Sequence, residues 1–187
     1  MKRRIIVAVT GATGSIYGIR LLEEIQKLDV TVFLILSDWA RQIIPEETDH
    51  TVQYVESLAH EVFSNQNLAA PVASGSFQVD SMVVAPCSMK TLAGIASGIA
   101  DSLILRAADV SLKERRKLII VPRETPLNQI HLRNMLTLSS MGVIIVPPMP
   151  AFYSKPESIN DIINQHVGHV LELLDLPATF LKRWEGR

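Results

Sequence analysis

Short runs of β-branched and other apolar residues recur along the chain and alternate with segments whose apolar positions follow helical spacing. Apolar runs of this kind, without regular polar alternation, are typical of strands that are buried on both faces of a sheet. The pattern predicts five strands, over residues 5–9, 30–36, 82–85, 117–121 and 143–146.

Helical spacing fills most of the segments between these runs. A helix is predicted over residues 16–28, and residues 38–65 are predicted to be mostly helical with an interruption at Pro45. Another helix is predicted to begin near Pro126, because proline is favoured at the first helical position and Thr125 before it could serve as N-cap.

The last predicted helix covers residues 158–175, with Ser158 as its N-cap. Strands that alternate with helices in this way predict a parallel sheet with helices on both faces. The expected fold class is therefore α/β, a three-layer sandwich around a central parallel sheet. A length of 187 residues predicts a single domain spanning residues 1–187.

Composition narrows the setting in which the protein works. The net charge is -1, so no basic surplus points to nucleic acid or to an anionic membrane. No apolar stretch approaches the roughly 20 residues that a membrane-spanning helix needs. Cys87 is the one cysteine of the chain, which excludes an intrachain disulfide and predicts a cytoplasmic location.

Candidate chemistry is concentrated where the predicted strands end. In an open parallel sheet, ligands bind beyond the carboxyl ends of the strands. Four of the five exit loops open a helix, whose free amides favour an anion, so we expect a ligand that carries a phosphate. Turn and cap chemistry alone is the alternative for any single loop. The exit residues are Gly11-Ala12-Thr13-Gly14, Ser37, Ser88-Met89-Lys90-Thr91, Arg123-Glu124 and Tyr153.

The glycine loop also fits the general pattern of a dinucleotide-binding turn, which is a weak signal by itself. An NAD site would need an acidic residue about 20 positions further on, and Asp38 is a candidate. However, Asp38 directly follows Ser37 and is equally explained as part of a helix cap. No Tyr-x-x-x-Lys segment supports a dehydrogenase.

Six longer segments resemble one known family, and together they run almost from end to end. They are residues 84–95 (VAPCSMKTLAGI), 106–117 (RAADVSLKERRK), 122–127 (PRETPL), 130–136 (IHLRNML), 147–153 (PPMPAFY) and 183–186 (RWEG). These segments are similar to those of the UbiX family, which includes the PAD-type proteins of phenolic-acid decarboxylation. The resemblance implies a flavodoxin-like, Rossmann-type fold and a homo-oligomer, usually a dodecamer, with sites between subunits.

The resemblance also implies an activity. Family members attach the dimethylallyl group of dimethylallyl monophosphate to reduced FMN, closing a fourth ring across flavin N5 and C6 without a metal. The prenylated FMN then serves a UbiD-type decarboxylase, of the ubiquinone pathway or of the phenolic-acid type. Such chemistry needs cations for the leaving phosphate and an aromatic or apolar wall for the developing allyl cation.

Matched position by position, the resemblance assigns three groups of residues. Those expected to hold FMN are Gly11, Ala12, Thr13, Ser37, Ser88, Met89, Lys90, Thr91 and Arg123. Those expected to hold the substrate phosphate are Arg106, Lys113, Arg123, Tyr153 and His169, with Lys113 supplied by a neighbouring subunit. Those expected to act in catalysis are Glu124, Glu47 and Thr13, which would manage protons, and Trp184, which would line the allyl site.

Two of these positions depart from the family pattern. Thr13 stands where many members have serine, so the hydroxyl is kept and a methyl is added. His169 stands where relatives carry arginine or lysine, and histidine titrates near neutral pH. An exposed histidine without a ligand role is the alternative for His169.

Other residues have simpler explanations beside the functional ones. Cys87 ends a buried strand, so packing is favoured over a catalytic thiol, and His166 falls on the apolar stripe of the last helix as a hydrogen-bonded core histidine. The charged run 113–117 is ordinarily a solvated helix face, and Trp184 could anchor subunit packing. Two alternative functions remain open at this point, an FMN-dependent cysteine decarboxylase and a non-catalytic FMN carrier for a decarboxylase.

Overall fold

The computed structural model describes residues 2–186, and within them six parallel strands form one sheet. The strands are β1 (Arg3–Val9), β2 (Val30–Leu36), β3 (Glu61–Ser64), β4 (Ser81–Cys87), β5 (Lys117–Pro122) and β6 (Ile144–Ile145). Their order in the sheet is β3-β2-β1-β4-β5-β6, which is the order of Rossmann-type sheets. The expected fold class is confirmed. The strand order reverses at β1, which pairs with β2 on one side and with β4 on the other.

Helices cover both faces of this sheet. They are α1 (Ser15–Gln26), α2 (Asp38–Glu47), α3 (Val52–Ser57), α4 (Met89–Ala96), α5 (Leu103–Lys113), α6 (Gln129–Ser140) and α7 (Ile159–Leu173). Residues of α1, α2, α3 and α7 share one apolar core, and residues of α4, α5 and α6 share the other. Alternation along β1 explains the division, because Ile5 and Val7 belong to the first core while Ile6 and Ala8 belong to the second.

Two expectations fail in the segment predicted to be mostly helical. Pro45 does not interrupt α2, which continues to Glu47. A proline this close to the end of a helix removes one backbone donor but leaves little helix after it to disrupt. Residues 61–64 form the edge strand β3, in which only Phe63 is buried. An edge strand with a single buried side chain has no apolar run by which it could be recognised.

The start of α6 also differs from the prediction. Thr125 is not its N-cap, because α6 begins at Gln129 and Asn128 caps it by accepting a hydrogen bond from the backbone N–H of His131. The segment with Thr125 and Pro126 is a loop before the helix. The expected cap of α7 is confirmed, since the Ser158 hydroxyl accepts from the Asp161 amide at 3.2 Å.

Residues 2–186 contain neither a candidate membrane span nor a candidate metal cluster. None of the helices is both long enough and apolar enough to cross a membrane. Over the same residues, no group of three or more histidine, cysteine, aspartate or glutamate side chains is placed to hold a metal ion.

Candidate active site

Thr10 joins the two loops that leave the sheet where its strand order reverses. Its buried hydroxyl donates to the Pro86 carbonyl at 2.9 Å and accepts from the Ser88 amide at 2.8 Å. One side chain therefore fixes the loop after β1 against the loop after β4. Thr10 was not among the predicted site residues, because its role depends on a contact between residues far apart in the chain.

A cleft of ≈ 530 Å³ opens beside Thr10 at the carboxyl edge of the sheet; we call it the first cleft. It brings together residues that were predicted to hold FMN, and these are Gly11, Ser37, Ser88, Lys90 and Thr91. It also contains residues that were not predicted, among them Trp39, Asn65, Gln66, Asp101 and Ser102. No local sequence pattern identified these five residues as part of a site. Asn65 and Gln66, for example, follow strand β3, which was itself not predicted.

Two helices begin at this cleft with a capping serine. The Ser37 hydroxyl accepts from the Ala40 amide at 3.1 Å, and the Ser88 hydroxyl accepts from the Thr91 amide at 3.3 Å. A cap satisfies only one of the free amides of a helix start, so the remaining ones stay available to an anion. The first cleft is therefore suited to a phosphate.

Position 11, at the mouth of the first cleft, requires a glycine. A Cβ atom at this position would overlap the Cβ of Trp39, so only glycine lets the loop pass the tryptophan. Trp39 is itself 66% exposed, which is unusual for so large an apolar side chain. Its indole forms part of the wall of the cleft.

Glu47 and Thr13, both predicted to be catalytic, lie in contact. The Glu47 carboxylate accepts from the Gly14 amide at 2.8 Å and from the Ser15 amide and hydroxyl at 3.3 Å. Burial acts to raise the pKa of Glu47, but hydrogen bonds from Thr13, Gly14 and Ser15 outweigh it and hold the pKa below its usual range. Glu47 is therefore an ionised carboxylate that also caps α1, where Gly14 has no side chain to do so.

A second cleft, of ≈ 500 Å³, lies between α7 and the residues on either side of it in sequence. It brings together Tyr153, His169 and Trp184, which were predicted to serve the prenyl substrate. The rings of Tyr153 and Trp184 meet edge to face, with centroids 6.0 Å apart. Gln165 and His166 also line this cleft, and neither was predicted to belong to the site.

Arg123 and Glu124 are exposed on the loop that follows β5. The backbone N–H of Arg123 donates to the Cys87 carbonyl at 3.2 Å, which places this loop beside the loop after β4. Burial raises the pKa of Tyr17, which lies in the first turn of α1, and the positive charge of Arg123 opposes this rise. Arg123 therefore also interacts electrostatically with the start of α1. Glu124 accepts from the Thr125 amide at 3.0 Å and from no other described residue.

Arg106 and Lys113 are not brought to Tyr153 within one chain. Both belong to α5, which covers the opposite face of the sheet from α7. Arg106 donates to Asp109 at 2.7 Å and to the Ala73 carbonyl at 3.0 Å, and Lys113 pairs with Glu114. Since α5 ends at Lys113, the charged run 113–117 is a turn leading into β5 and not a helix face.

His166 is buried as expected, but it is not the hydrogen-bonded core residue that was predicted. Its Nε2 atom has no hydrogen-bond partner among residues 2–186, and its ring stands edge to face on Tyr17 at 5.1 Å. Burial, with a smaller effect from His169, lowers the pKa of His166 to about 4. Cys87 is fully buried, and burial raises the pKa of its thiol far above the usual range, which fits packing.

His166 should make the fold sensitive to acid. Because its pKa is lower in the folded chain than in the unfolded one, the unfolded state binds more protons and stability falls as pH drops below about 6.5. The loss should reach about 2 kcal/mol at pH 5 relative to pH 8. His166→Leu should flatten this part of the profile in urea titrations at each pH. An unchanged slope in that variant would assign the acid sensitivity to other groups.

Comparisons with known proteins decide the family. Residues 1–171 match the family model described as Flavoprotein. The flavin prenyltransferase UbiX of Methanocaldococcus jannaschii is 52% identical over 181 residues, covering 97% of this chain and 98% of the relative. The chain belongs to the UbiX-like flavin prenyltransferase family. The expected enzyme class, a prenyltransferase acting on flavin, is thereby confirmed.

Two solved structures match this prenyltransferase closely. The crystal structure of AnUbiX (PadA1) in complex with FMN and dimethylallyl pyrophosphate has a TM-score of 0.98 and 52% identity, with both chains covered completely. A dodecameric FMN-dependent UbiX-like decarboxylase from Escherichia coli O157:H7 has a TM-score of 0.97 and 49% identity, covering 98% of this chain and 100% of that one.

The similarity to FMN-dependent cysteine decarboxylases, the alternative function, is much weaker. The FMN-dependent cysteine decarboxylase TvaF is 16% identical to this prenyltransferase and has a TM-score of 0.65, covering 89% of this chain and 99% of that one. At this identity the two proteins share the fold alone.

Proposed function

We propose that the protein transfers the dimethylallyl group of dimethylallyl monophosphate to reduced FMN, forming bonds at flavin N5 and C6. The product would be prenylated FMN, the cofactor of a UbiD-type decarboxylase. The observation that carries the proposal is the pairing of two clefts on one chain. The first has capped helix starts suited to the flavin phosphate, and the second has Tyr153, His169 and Trp184 suited to a prenyl phosphate.

FMN would lie along the carboxyl edge of β1 and β4. Its phosphate would be held near Thr13 or at the turn 88–91, where hydroxyls and helix amides converge. Gly11, Ala12, Ser37 and Arg123 would complete the binding site. Reduced FMN supplies the nucleophilic carbon and nitrogen of the reaction.

The protein's own residues would stabilise charge during the transfer. The dimethylallyl group leaves its phosphate as an allylic cation, so the phosphate needs cations and the allyl group needs an electron-rich wall. Tyr153 and His169 would hold the phosphate together with Arg123, and the edge-to-face pair of Tyr153 and Trp184 would line the allyl site. Glu124 would handle a proton, with Glu47 and Thr13 acting at the flavin.

The decisive experiment is incubation of the purified protein with FMN, dithionite and dimethylallyl monophosphate, followed by mass spectrometry of the flavin. A flavin heavier by one C5 unit supports the proposal. Unchanged flavin mass would leave the carrier alternative, and flavin reduction by an added peptidyl-cysteine would favour the cysteine decarboxylase. A parallel incubation with dimethylallyl pyrophosphate tests which phosphate ester the protein prefers.

We also propose a homododecamer, in which Arg106 and Lys113 of one subunit reach the second cleft of another. Helix α6 supports this assembly, because Leu138 is its only fully buried residue. Leu132 and Leu136, four residues apart and therefore on one side of this helix, are 53% and 68% exposed, and Ile130 on another side is 65% exposed. Several exposed apolar residues on one helix of a small protein are typical of a protein–protein interface.

Leu136→Glu should disrupt the assembly, because it places a charge beside Leu132 on the exposed apolar side of α6. Light scattering at micromolar concentration should show a species smaller than that of the wild type. Ile99→Glu is the matched control, since Ile99 is an exposed apolar residue outside α6. A wild-type monomer, or a Leu136→Glu protein of wild-type size, would contradict the proposed interface.

His169→Lys should strengthen the binding of the prenyl substrate at pH 8. A lysine ammonium presents a compact charge and three donors to the phosphate, so the KM for dimethylallyl monophosphate should fall roughly two- to fivefold. Equal KM values for wild type and His169→Ala between pH 6 and pH 8 would show that His169 does not contact the phosphate.

A further inference from the structure

Gln165 connects two segments that border the second cleft. It lies on α7 and is 8% exposed. Its Nε2 donates to the Tyr153 hydroxyl at 3.0 Å and to the Lys182 carbonyl at 2.8 Å, while its Oε1 accepts from the Lys182 amide at 3.3 Å. One buried side chain therefore holds both the segment with Tyr153 and the C-terminal segment that carries Trp184.

The backbone of Lys182 determines which way the Gln165 amide points. A carbonyl oxygen can only accept, so the Gln165 group that meets it must be the NH₂. A backbone N–H can only donate, so the group that meets it must be the side-chain oxygen. The opposite orientation would break both contacts and leave the N–H and C=O of Lys182 facing groups of the same kind.

This orientation sets the direction of the hydrogen bond to Tyr153. The NH₂ of Gln165 donates, so the Tyr153 oxygen accepts. A phenol has a single proton, and that proton is not used toward Gln165. Tyr153 is 49% exposed and lines the second cleft with His169. The hydroxyl is therefore available to donate to an acceptor in the cleft.

We propose that Gln165 is a positioning residue that turns the Tyr153 hydroxyl into a hydrogen-bond donor to the phosphate of the prenyl substrate. The inference rests on the proposed function, which gives Tyr153 the phosphate as its partner. A phosphate only accepts hydrogen bonds at its ionised oxygens, so a hydroxyl whose proton is directed elsewhere would repel it.

A double-mutant cycle between Gln165 and Tyr153 tests the inference. The readout is the affinity of the FMN-loaded protein for dimethylallyl monophosphate, measured by calorimetry with oxidised FMN so that no transfer occurs. Tyr153→Phe should weaken binding roughly tenfold, as expected for loss of a hydrogen bond to a charged group. Gln165→Met, which keeps the side-chain length but cannot donate to Tyr153, should weaken it by a similar factor.

The combined variant should bind no more than about twofold more weakly than Tyr153→Phe alone, because Gln165 acts through that hydroxyl. If the combined variant instead lost affinity by the product of the two single-variant factors, the inference would be overturned and Gln165 would be a purely structural residue. An unchanged affinity in Gln165→Met, or in Tyr153→Phe, would overturn it as well. Asn164→Ala is the control on the same helix, since the hydrogen bond that its side chain accepts from Arg20 at 2.8 Å does not involve Tyr153 or Lys182, and it should bind like wild type.

The binding cycle tests the role of Gln165, and the mass-spectrometric assay tests the proposed reaction, so the two failures can be distinguished. Wild-type protein that binds dimethylallyl monophosphate with the expected coupling, but yields no heavier flavin, would contradict the proposed reaction and keep the role of Gln165. Protein that yields the heavier flavin with multiplied effects in the cycle would keep the reaction and overturn the role of Gln165.

Discussion

Replacing Glu124 by glutamine should lower the rate of prenyl transfer roughly 10²-fold or more, the usual scale for loss of a general acid or base. In the proposed reaction, closing the new ring would require the loss of a proton from flavin C6, and a carboxylate near the leaving phosphate would be suited to take it up. Glu124 lies on the exposed loop after β5, directly beside Arg123. Its observed contact is with its neighbour's amide, which leaves the carboxylate free to turn toward a ligand.

Single-turnover kinetics with reduced FMN are the appropriate measurement for Glu124→Gln. Glutamine keeps the shape and can still accept from Thr125, but it cannot take up a proton, so FMN affinity should stay unchanged. Glu61→Gln is the control, because Glu61 is an exposed carboxylate at the opposite end of the sheet. Wild-type rates in Glu124→Gln would remove it from the mechanism and leave the bound phosphate as the base.

Gly18→Ala should destabilise the fold by about 3 kcal/mol, at the upper end of the usual cost of overpacking a core. Gly18 is buried in α1, and a Cβ atom there would overlap the backbone carbonyl oxygen of Ala85 and lie 3.1 Å from Val9 Cγ2. A backbone atom cannot move aside as a side chain does, so α1 would have to shift away from β4. That loss should exceed the roughly 1 kcal/mol that alanine gains over glycine in a helix.

Gly94→Ala is the matched comparison, since Gly94 is also a buried helical glycine. Its added Cβ would lie 2.9 Å from Leu105 Cδ2, the end of a flexible side chain that can rotate away. Urea unfolding should therefore show a change within about 1 kcal/mol for Gly94→Ala. Equal losses in the two variants would show that α1 can shift away from Ala85 at little cost.

The sheet was predictable because its central strands are long apolar runs. Residues 30–36 were predicted as a strand and form one over the same span, and six of these seven residues are buried, as a nearly continuous apolar run predicts. The edge strand β3 has no such run, and the start of α6 depends on which of several competing polar residues caps it. Asn128 does so with its side chain, a choice that spacing alone does not reveal.

The site was predictable where position in the fold assigns a role, as at the exits of β1 and β4. It was not predictable where the role arises from one long-range contact. Thr10 and Gln165 are examples, because their partners lie 76 and 17 residues away in the chain. Trp39 belongs to the same class, since only its approach to Gly11 places it at the first cleft.

The position of α5 and α7 on opposite faces of the sheet has a consequence for how activity depends on dilution. If phosphate-binding cations and Tyr153 must come from different subunits, no isolated chain holds a complete site. The number of working sites then follows the amount of assembled protein and not the total, so specific activity would decline once dilution separates the subunits. A flavoprotein built this way could lose its catalytic output while every chain remained folded.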